Sequence, residues 1–335
     1  MSALVFPGQG TQRAGMGQAL FHGFAEAGAV LRLAESETGI GLGAMLRRGP
    51  AATLRRTENA QVAVITVDLA ALAVLRKARV RYQAVAGHSV GALAALAAAG
   101  ALTDAQVLWL AARRGRIMGA LPGGGAMTSV AGAAADRVRD VVRETARELA
   151  LPLVVGLVNS ASRVVLSGAR EAVDLAAERL LEDGAAGAVP LEVSHAFHSP
   201  LMAGALPAWR DTVAALPLRD AAVPVVADTT GEPLVQRRQL RDYLVDQLTQ
   251  PVRWDLVTEG LARLGAGTAV ETGDSKVLRL FAGDAARDGE QAQRLRVVSM
   301  AQPHVLTRLR AGLAPADVSG GATGTVLEAT TGGRA

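Results

Sequence analysis

Gly87-His88-Ser89-Val90-Gly91 fits the spacing G-x-S-x-G, in which a serine sits on a sharp turn between a strand and a helix. Glycine on either side removes side chains that would collide in that turn, and the turn leaves the serine hydroxyl exposed at the end of a sheet. The start of the following helix favours negative charge, so the Val90 N–H is aimed to stabilise an oxyanion. This is the chemistry of a serine attacking a carbonyl, and it needs a base. The chain has five histidines: His22, His88, His195, His198 and His304. His22 lies in a polar N-terminal segment, His304 follows Pro303 near the end, and His88 adjoins Ser89 with a side chain expected to diverge from it. His195 and His198, in Ser194-His195-Ala196-Phe197-His198-Ser199, remain as candidate bases. A metal site is the competing use of a histidine pair, but no third ligand cluster accompanies it, so no metal is expected. A second oxyanion donor suits the Gly8-Gln9-Gly10 loop, because loops at the carboxyl ends of strands in a doubly wound sheet share one crevice. The chain has no cysteine, which excludes disulfides, thiolate metal sites and cysteine nucleophiles.

The elements that must hold these groups read as an α/β pattern. Leu4-Val5-Phe6 is a short buried strand ended by Pro7-Gly8. Helical pieces run to about residue 47 and break at Gly49-Pro50, and residues 59–75 suit a helix buried on most sides. Residues 83–86 form a strand entering the Ser89 turn, and residues 92–99 the helix leaving it. Thr103 or Asp104 caps the next helix, which carries Arg113, Arg114 and Arg116. Beyond Gly123-Gly124-Gly125 the pattern becomes strand 126–130, helix 133–149, strands 154–158 and 163–167 joined at Asn159-Ser160, helix 169–184 and strand 188–192. That βαββαβ order is ferredoxin-like. Strands at 223–226, 269–271 and 296–298 and a helix near 240–248 then resume the α/β pattern. The expected fold class is therefore α/β. A large subdomain with a parallel sheet, α/β-hydrolase-like in its strand–Ser–helix turn, spans 1–123 and 195–313, with a ferredoxin-like small subdomain inserted at 124–194. Residues 314–335, rich in Gly, Ala, Ser and Thr, are expected to form a disordered tail or linker.

Composition narrows the function classes. Half of the 335 residues are hydrophobic and 20% are charged, which supports a real core and excludes a disordered chain, a coiled coil or a small stapled scaffold. The net charge of +4 rests on arginine, since Lys77 and Lys276 are the only lysines. Aromatic residues are too few for a base-stacking surface and no basic run exceeds two residues, so no nucleic-acid partner is expected. A basic patch facing an acidic protein fits the charge at least as well. The apolar run before Pro7 is too short for a signal sequence and lacks a basic flank. The low-charge stretch 84–102 reads as a buried strand and helix rather than a membrane span. A cytoplasmic location without membrane contact is expected.

Five motifs in order carry a resemblance: Phe6-Pro7-Gly8-Gln9-Gly10-Thr11-Gln12, Gly87-His88-Ser89-Val90-Gly91, Arg114-Gly115-Arg116-Ile117-Met118, Asn159-Ser160 and Ala196-Phe197-His198-Ser199-Pro200-Leu201-Met202. Over about residues 3 to 310 the chain resembles the malonyl-CoA:acyl-carrier-protein transacylases and the related polyketide-synthase acyltransferases. The resemblance implies Ser89 as the acylated nucleophile and His198 as its base, oriented by a backbone carbonyl that would be Arg253's. It implies an oxyanion hole from the N–H groups of Gln9 and Val90, and Arg114, supported by Gln61, holding the malonyl carboxylate. His195 and Phe197 stand in the version of the motif found in malonyl-selective polyketide acyltransferases, where Phe197 crowds a 2-methyl branch. The implied partners are malonyl-CoA and an acyl carrier protein that brings its own phosphopantetheine, with no other cofactor. The chain departs from the usual family residues at Val62, at Ala92 and at Gly273-Asp274-Ser275. A serine thioesterase and the malonyl-transferring subunit of a malonate decarboxylase are the alternatives; a hydrolase would add a carboxylate in the order Ser, Asp/Glu, His.

Overall fold

A computed structural model describes residues 2–287 and 295–315, so the expected tail lies, from residue 316 onward, outside the described residues. The chain opens with β1 (Ser2–Phe6), followed by four short-to-medium helices, α1 (Gln18–Gly23), α2 (Ala25–Thr38), α3 (Leu42–Arg48) and α4 (Ala51–Arg55). The long helix α5 (Thr57–Lys77) comes next, then β2 (Ala84–Gly87), α6 (Gly91–Ala98) and α7 (Asp104–Gly119). Sixteen residues of α5 are buried, as its nearly all-round apolar sequence requires. It is long and apolar enough to cross a membrane, yet most of it is buried inside the protein, between neighbours that include α2 and α7. Thr103 starts α7 with a reciprocal capping box to Gln106, which fixes the register of the helix that carries Arg114.

The middle of the chain contributes β3 (Gly125–Ala131), α8 (Ala135–Leu149), β4 (Leu153–Ser160), β5 (Arg163–Ala169), α9 (Arg170–Glu182) and β6 (Gly187–Pro190). After it come α10 (Leu206–Ala214), β7 (Val225–Val226), β8 (Pro233–Leu234), α11 (Arg237–Asp246), β9 (Val252–Arg253), α12 (Trp254–Arg263), β10 (Thr268–Glu271), α13 (Val277–Arg287), β11 (Arg296–Ser299) and α14 (Pro303–Arg310). The sequence reading places no helix over α10, α12, α13 or α14.

Two sheets organise these elements. The six-stranded sheet runs β11-β10-β1-β2-β7-β8, parallel throughout except for the antiparallel edge strand β8. Parallel strands covered on both faces read as continuous apolar runs, and every residue of β1 is buried. The second sheet runs β6-β3-β5-β4-β9. Its first four strands have the ferredoxin-like spatial order, with antiparallel neighbours. Along β5, Val164 and Leu166 point into a cluster with α8 and α9, while Val165 points the other way into the main core.

Two features depart from the sequence expectation. Asn159 and Ser160 do not form a turn; β4 runs through both with register shifts, because the Asn159 side chain is buried against a partner instead of facing water. The second sheet also gains a fifth strand from outside the insert, β9, which pairs parallel to β4 (Leu157 with Val252, Val158 with Arg253). An ion pair between Arg163 of β5 and the buried Asp284 of α13, at 2.6 Å, ties the second sheet to that helix.

Candidate active site

The turn between β2 and α6 exposes Ser89 at the carboxyl end of the parallel sheet. Ser89 has φ 52°, a left-handed conformation that a side-chain-bearing residue adopts only when its surroundings hold it there. The flanking glycines are steric necessities. A Cβ on Gly87 would stand 2.1 Å from the Ala92 nitrogen, and one on Gly91 2.3 Å from the Phe6 carbonyl oxygen.

Ser89 Oγ lies 2.7 Å from His198 Nε2. His198 also has a left-handed backbone, with φ 57°. Its Nδ1 lies 3.0 Å from the carbonyl oxygen of Gln250 and 3.1 Å from that of Gln247. A carbonyl can only accept, so Nδ1 carries the proton and the Nε2 lone pair faces the serine hydroxyl. The expected anchor, the carbonyl of Arg253, is thereby corrected. Arg253 is drawn into β9 and donates its N–H to the Asp228 carbonyl at 2.6 Å, whereas Gln250, three residues earlier, turns its carbonyl to the imidazole. No carboxylate hydrogen-bonds to Nδ1 among the described residues, so the hydrogen-bonded unit is a dyad.

Burial, with smaller help from the charges of Arg114 and His88, lowers the His198 pKa to about 3, against the raising effect of the two carbonyls. The imidazole is therefore neutral and available as a base at neutral pH. The same shift couples stability to acid. Between about pH 6.5 and 3 the unfolded chain binds a proton at this position that the native protein does not. The histidine's stabilising contribution is thus complete above pH 6.5 and is lost as pH falls toward 3. Urea unfolding at pH 7 and at pH 4.5 is expected to show a smaller acid-induced loss of midpoint in His198→Gln than in the wild type.

Arg114 projects from α7 and is only 2% exposed. Its Nη1 donates to Gln61 Oε1 at 3.0 Å, while its Nε and Nη2 are buried without a hydrogen-bond partner. Burial lowers its pKa to about 10, so it remains a cation at neutral pH. Gln61 Nε2 donates to Thr57 Oγ1 at 3.1 Å, and that hydroxyl donates to Gln9 Oε1 at 3.0 Å, tying the guanidinium to the Gly8-Gln9-Gly10 loop. Ser89, His198, Arg114, Gln61, Gln9 and Phe197 all line one cavity of about 280 Å³. The backbone N–H groups of Gln9 and Val90 have no acceptor among the described residues, as oxyanion donors require. A buried cation with two idle donors, in the cavity of a serine–histidine pair, is chemically suited to a substrate bearing an anion beside a carbonyl.

His195 is the second correction. It does not line this cavity. Its Nε2 receives or donates no bond there but lies 3.0 Å from the Leu121 carbonyl, so Nε2 carries the proton, and its ring packs behind Phe197 with centroids 6.0 Å apart. Of this ring pair only Phe197 lines the cavity.

Other residues at the site were not singled out by the sequence. His88 diverges from Ser89 as expected, but its Nε2 lies 2.9 Å from Asn159 Oδ1, its ring packs against Trp254 and Phe281, and burial lowers its pKa. Asp228, Tyr243 and Gln247 form a buried polar cluster beneath the Ser89 turn. Burial pushes the Asp228 carboxyl up to about 6, opposed by hydrogen bonds from Tyr243, Gln247 and the Ser89 N–H and by the Arg114 charge. The available signal was an acid directly after the apolar run Val225-Val226-Ala227, at the carboxyl end of a strand.

Similarity to known proteins agrees with this geometry. Residues 3–322 match the family model described as acyl transferase domain. The chain is 34% identical over 278 residues to a malonyl CoA-acyl carrier protein transacylase of Bacillus subtilis, covering 82% of this chain and 87% of that one. It is 38% identical over 276 residues to the type I polyketide synthase Pks15/1 of phenolphthiocerol synthesis from Mycobacterium bovis, covering 81% of this chain but only 13% of that much longer protein. Among solved structures, a malonyl-transacylase in complex with its type II polyketide-synthase acyl-carrier protein superposes with a TM-score of 0.86 at 28% identity, over 92% of this chain and 99% of that one. The chain therefore belongs to the acyl transferase domain family, together with the malonyl CoA-acyl carrier protein transacylases and the polyketide-synthase acyltransferases.

Proposed function

We propose that the chain transfers a malonyl group from malonyl-CoA to the phosphopantetheine thiol of an acyl carrier protein, through a malonyl ester on Ser89. The observation that carries this reading is Arg114, whose unpaired Nε and Nη2 share a cavity with the Ser89–His198 pair. Those two donors suit a bidentate pair with the free malonyl carboxylate, and Gln61 holds the third edge of the guanidinium. The names of the relatives, and the neighbour solved with a carrier protein, support the same donor and acceptor.

His198 Nε2 takes the Ser89 hydroxyl proton as Oγ bonds to the thioester carbon. The carbonyl electron pair moves onto oxygen, where the Gln9 and Val90 N–H groups hold it. Collapse breaks the C–S bond, and the imidazolium returns its proton to the CoA thiolate. The carrier's thiol then gives its proton to His198 and attacks the ester, and Ser89 leaves with that proton. Atoms and electrons balance without a redox group or a metal, and the phosphopantetheine arrives on the partner. The dyad geometry, with carbonyls behind His198, supports transfer over a hydrolase triad. A cytoplasmic setting is the one in which CoA thioesters reach the site.

Phe197 crowds the side of the cavity that a 2-methyl branch would fill. One methyl is worth about 1–3 kcal/mol of discrimination, so methylmalonyl transfer is slowed rather than forbidden. The test is a transfer panel of malonyl-, methylmalonyl- and acetyl-CoA with holo-carrier proteins of fatty-acid and polyketide type. Malonyl transfer is expected to exceed methylmalonyl by about tenfold or more. Transfer of acetyl as fast as malonyl would overturn the substrate assignment.

A further inference from the structure

Asp228 follows β7 and is fully buried beneath the Ser89 turn. Its Oδ2 accepts the Ser89 backbone N–H at 2.7 Å, and its Oδ1 accepts the Tyr243 hydroxyl at 2.7 Å. Gln247 Nε2 lies 3.1 Å from both carboxylate oxygens and also 2.9 Å from the Ser89 carbonyl oxygen. The backbone carbonyl of that same Gln247 is one of the two that orient His198. Through its own carbonyl, Asp228 also fastens the Arg253 N–H, at the end of the segment that carries the second anchor, Gln250.

One carboxylate thus grips both halves of the dyad. Ser89 and His198 both hold left-handed backbones, which persist only when the surroundings over-determine them. The hydrogen bonds of Asp228 do this directly for Ser89 and, by way of Gln247, for the histidine anchor. The Ser89 hydroxyl is not among the partners of Asp228, so the carboxylate is not an acid or base in the transfer. Its charge also acts through space on the buried Arg114 cation, which has no salt-bridge partner among the described residues.

We propose that Asp228 is a positioning residue for acyl transfer, locking the Ser89 turn and the Gln247–Gln250 anchor of His198 into one hydrogen-bonded unit. The proposal rests on the Ser89–His198 reading above. It is tested with Asp228→Ala, Asp228→Asn and Gln247→Leu, measuring single-turnover acylation of Ser89 by intact mass, KM for malonyl-CoA, and thermal unfolding.

Asp228→Ala is expected to slow acylation about 10²-fold, the scale of a small misplacement of reacting groups, with KM unchanged. Asp228→Asn is expected to recover most of the rate, since its carboxamide oxygen can still accept the Ser89 N–H and its NH₂ can donate to the Tyr243 hydroxyl, which rotates to accept. A role confined to stability would lower the melting temperature without separating kcat from KM. Gln247→Leu keeps the backbone carbonyl and cuts only the side-chain link. It is expected to slow acylation about tenfold, and it decides the matter if Asp228→Ala does not fold. Wild-type acylation rates in a folded Asp228→Ala, or in Gln247→Leu, would overturn the proposal. If malonyl-CoA fails to label Ser89 in the wild type, the transfer reading itself falls, an outcome separable from the first.

Discussion

Ser89→Ala is expected to end acyl-enzyme formation and to lower malonyl transfer by at least about 10³-fold. The hydroxyl is the group poised at 2.7 Å from His198 Nε2, and without it the two-step path through an ester is closed. The oxyanion donors and the Arg114 pocket survive the substitution, so substrate binding is expected to persist. Intact-mass measurement after incubation with malonyl-CoA checks this directly. The wild type should gain one malonyl group and the variant none; a malonyl adduct on the variant would remove Ser89 from the role. Because serine and histidine act as one unit, adding His198→Ala to Ser89→Ala is expected to change the residual rate very little.

Arg114→Ala is expected to change which acyl group the protein prefers. The guanidinium is buried with two idle donors, and its only hydrogen bond among the described residues goes to neutral Gln61. Removing the partner of a buried carboxylate costs about 3–5 kcal/mol, so kcat/KM for malonyl-CoA should fall about 10²- to 10⁴-fold. Acetyl-CoA has no carboxylate to lose, and the variant no longer buries a cation with two idle donors, so acetyl transfer should hold or rise. Arg114→Lys is expected to recover little, since an ammonium cannot form the planar two-point pair. Steady-state assays on both CoA thioesters decide it. Equal losses for the two acyl groups would take Arg114 out of carboxylate recognition.

The parts of this site that the sequence made legible are those built from local rules. The Ser89 turn could be read because strand, glycine, serine, glycine and helix are contiguous and each has a steric reason. The helix carrying Arg114 could be placed because its capping box lies within four residues. The βαββαβ order survived translation into a sheet because alternating apolar patterns and short connections specify it. What escaped depends on how distant segments meet. The carbonyl facing His198 Nδ1 was assigned three residues too late in the chain, because a short loop and a two-residue strand decide which carbonyl turns inward. Asn159 read as a turn because a polar residue in a strand looks solvent-seeking until its buried partner, His88, is known. Asp228 was passed over because the three residues that bond its carboxylate come from α11, its C-terminal flank and the Ser89 turn, at separations up to 139 residues. His195 was credited through the motif it shares with Phe197, whereas its ring turns to the Leu121 carbonyl and only Phe197 of the two lines the cavity.

The β9 strand has a mechanical consequence. The stretch that presents the Gln247 and Gln250 carbonyls to His198 runs straight into β9, which is hydrogen-bonded to β4 of one sheet while Arg253 is tied to Asp228 at the end of the other. A clamshell opening of the two halves would have to tear this seam, and doing so would release the imidazole from its anchor. Admission of substrate by hinge motion is therefore incompatible with a standing dyad. The geometry instead favours a standing cavity into which a slender, extended arm such as a pantetheine chain threads its thioester end.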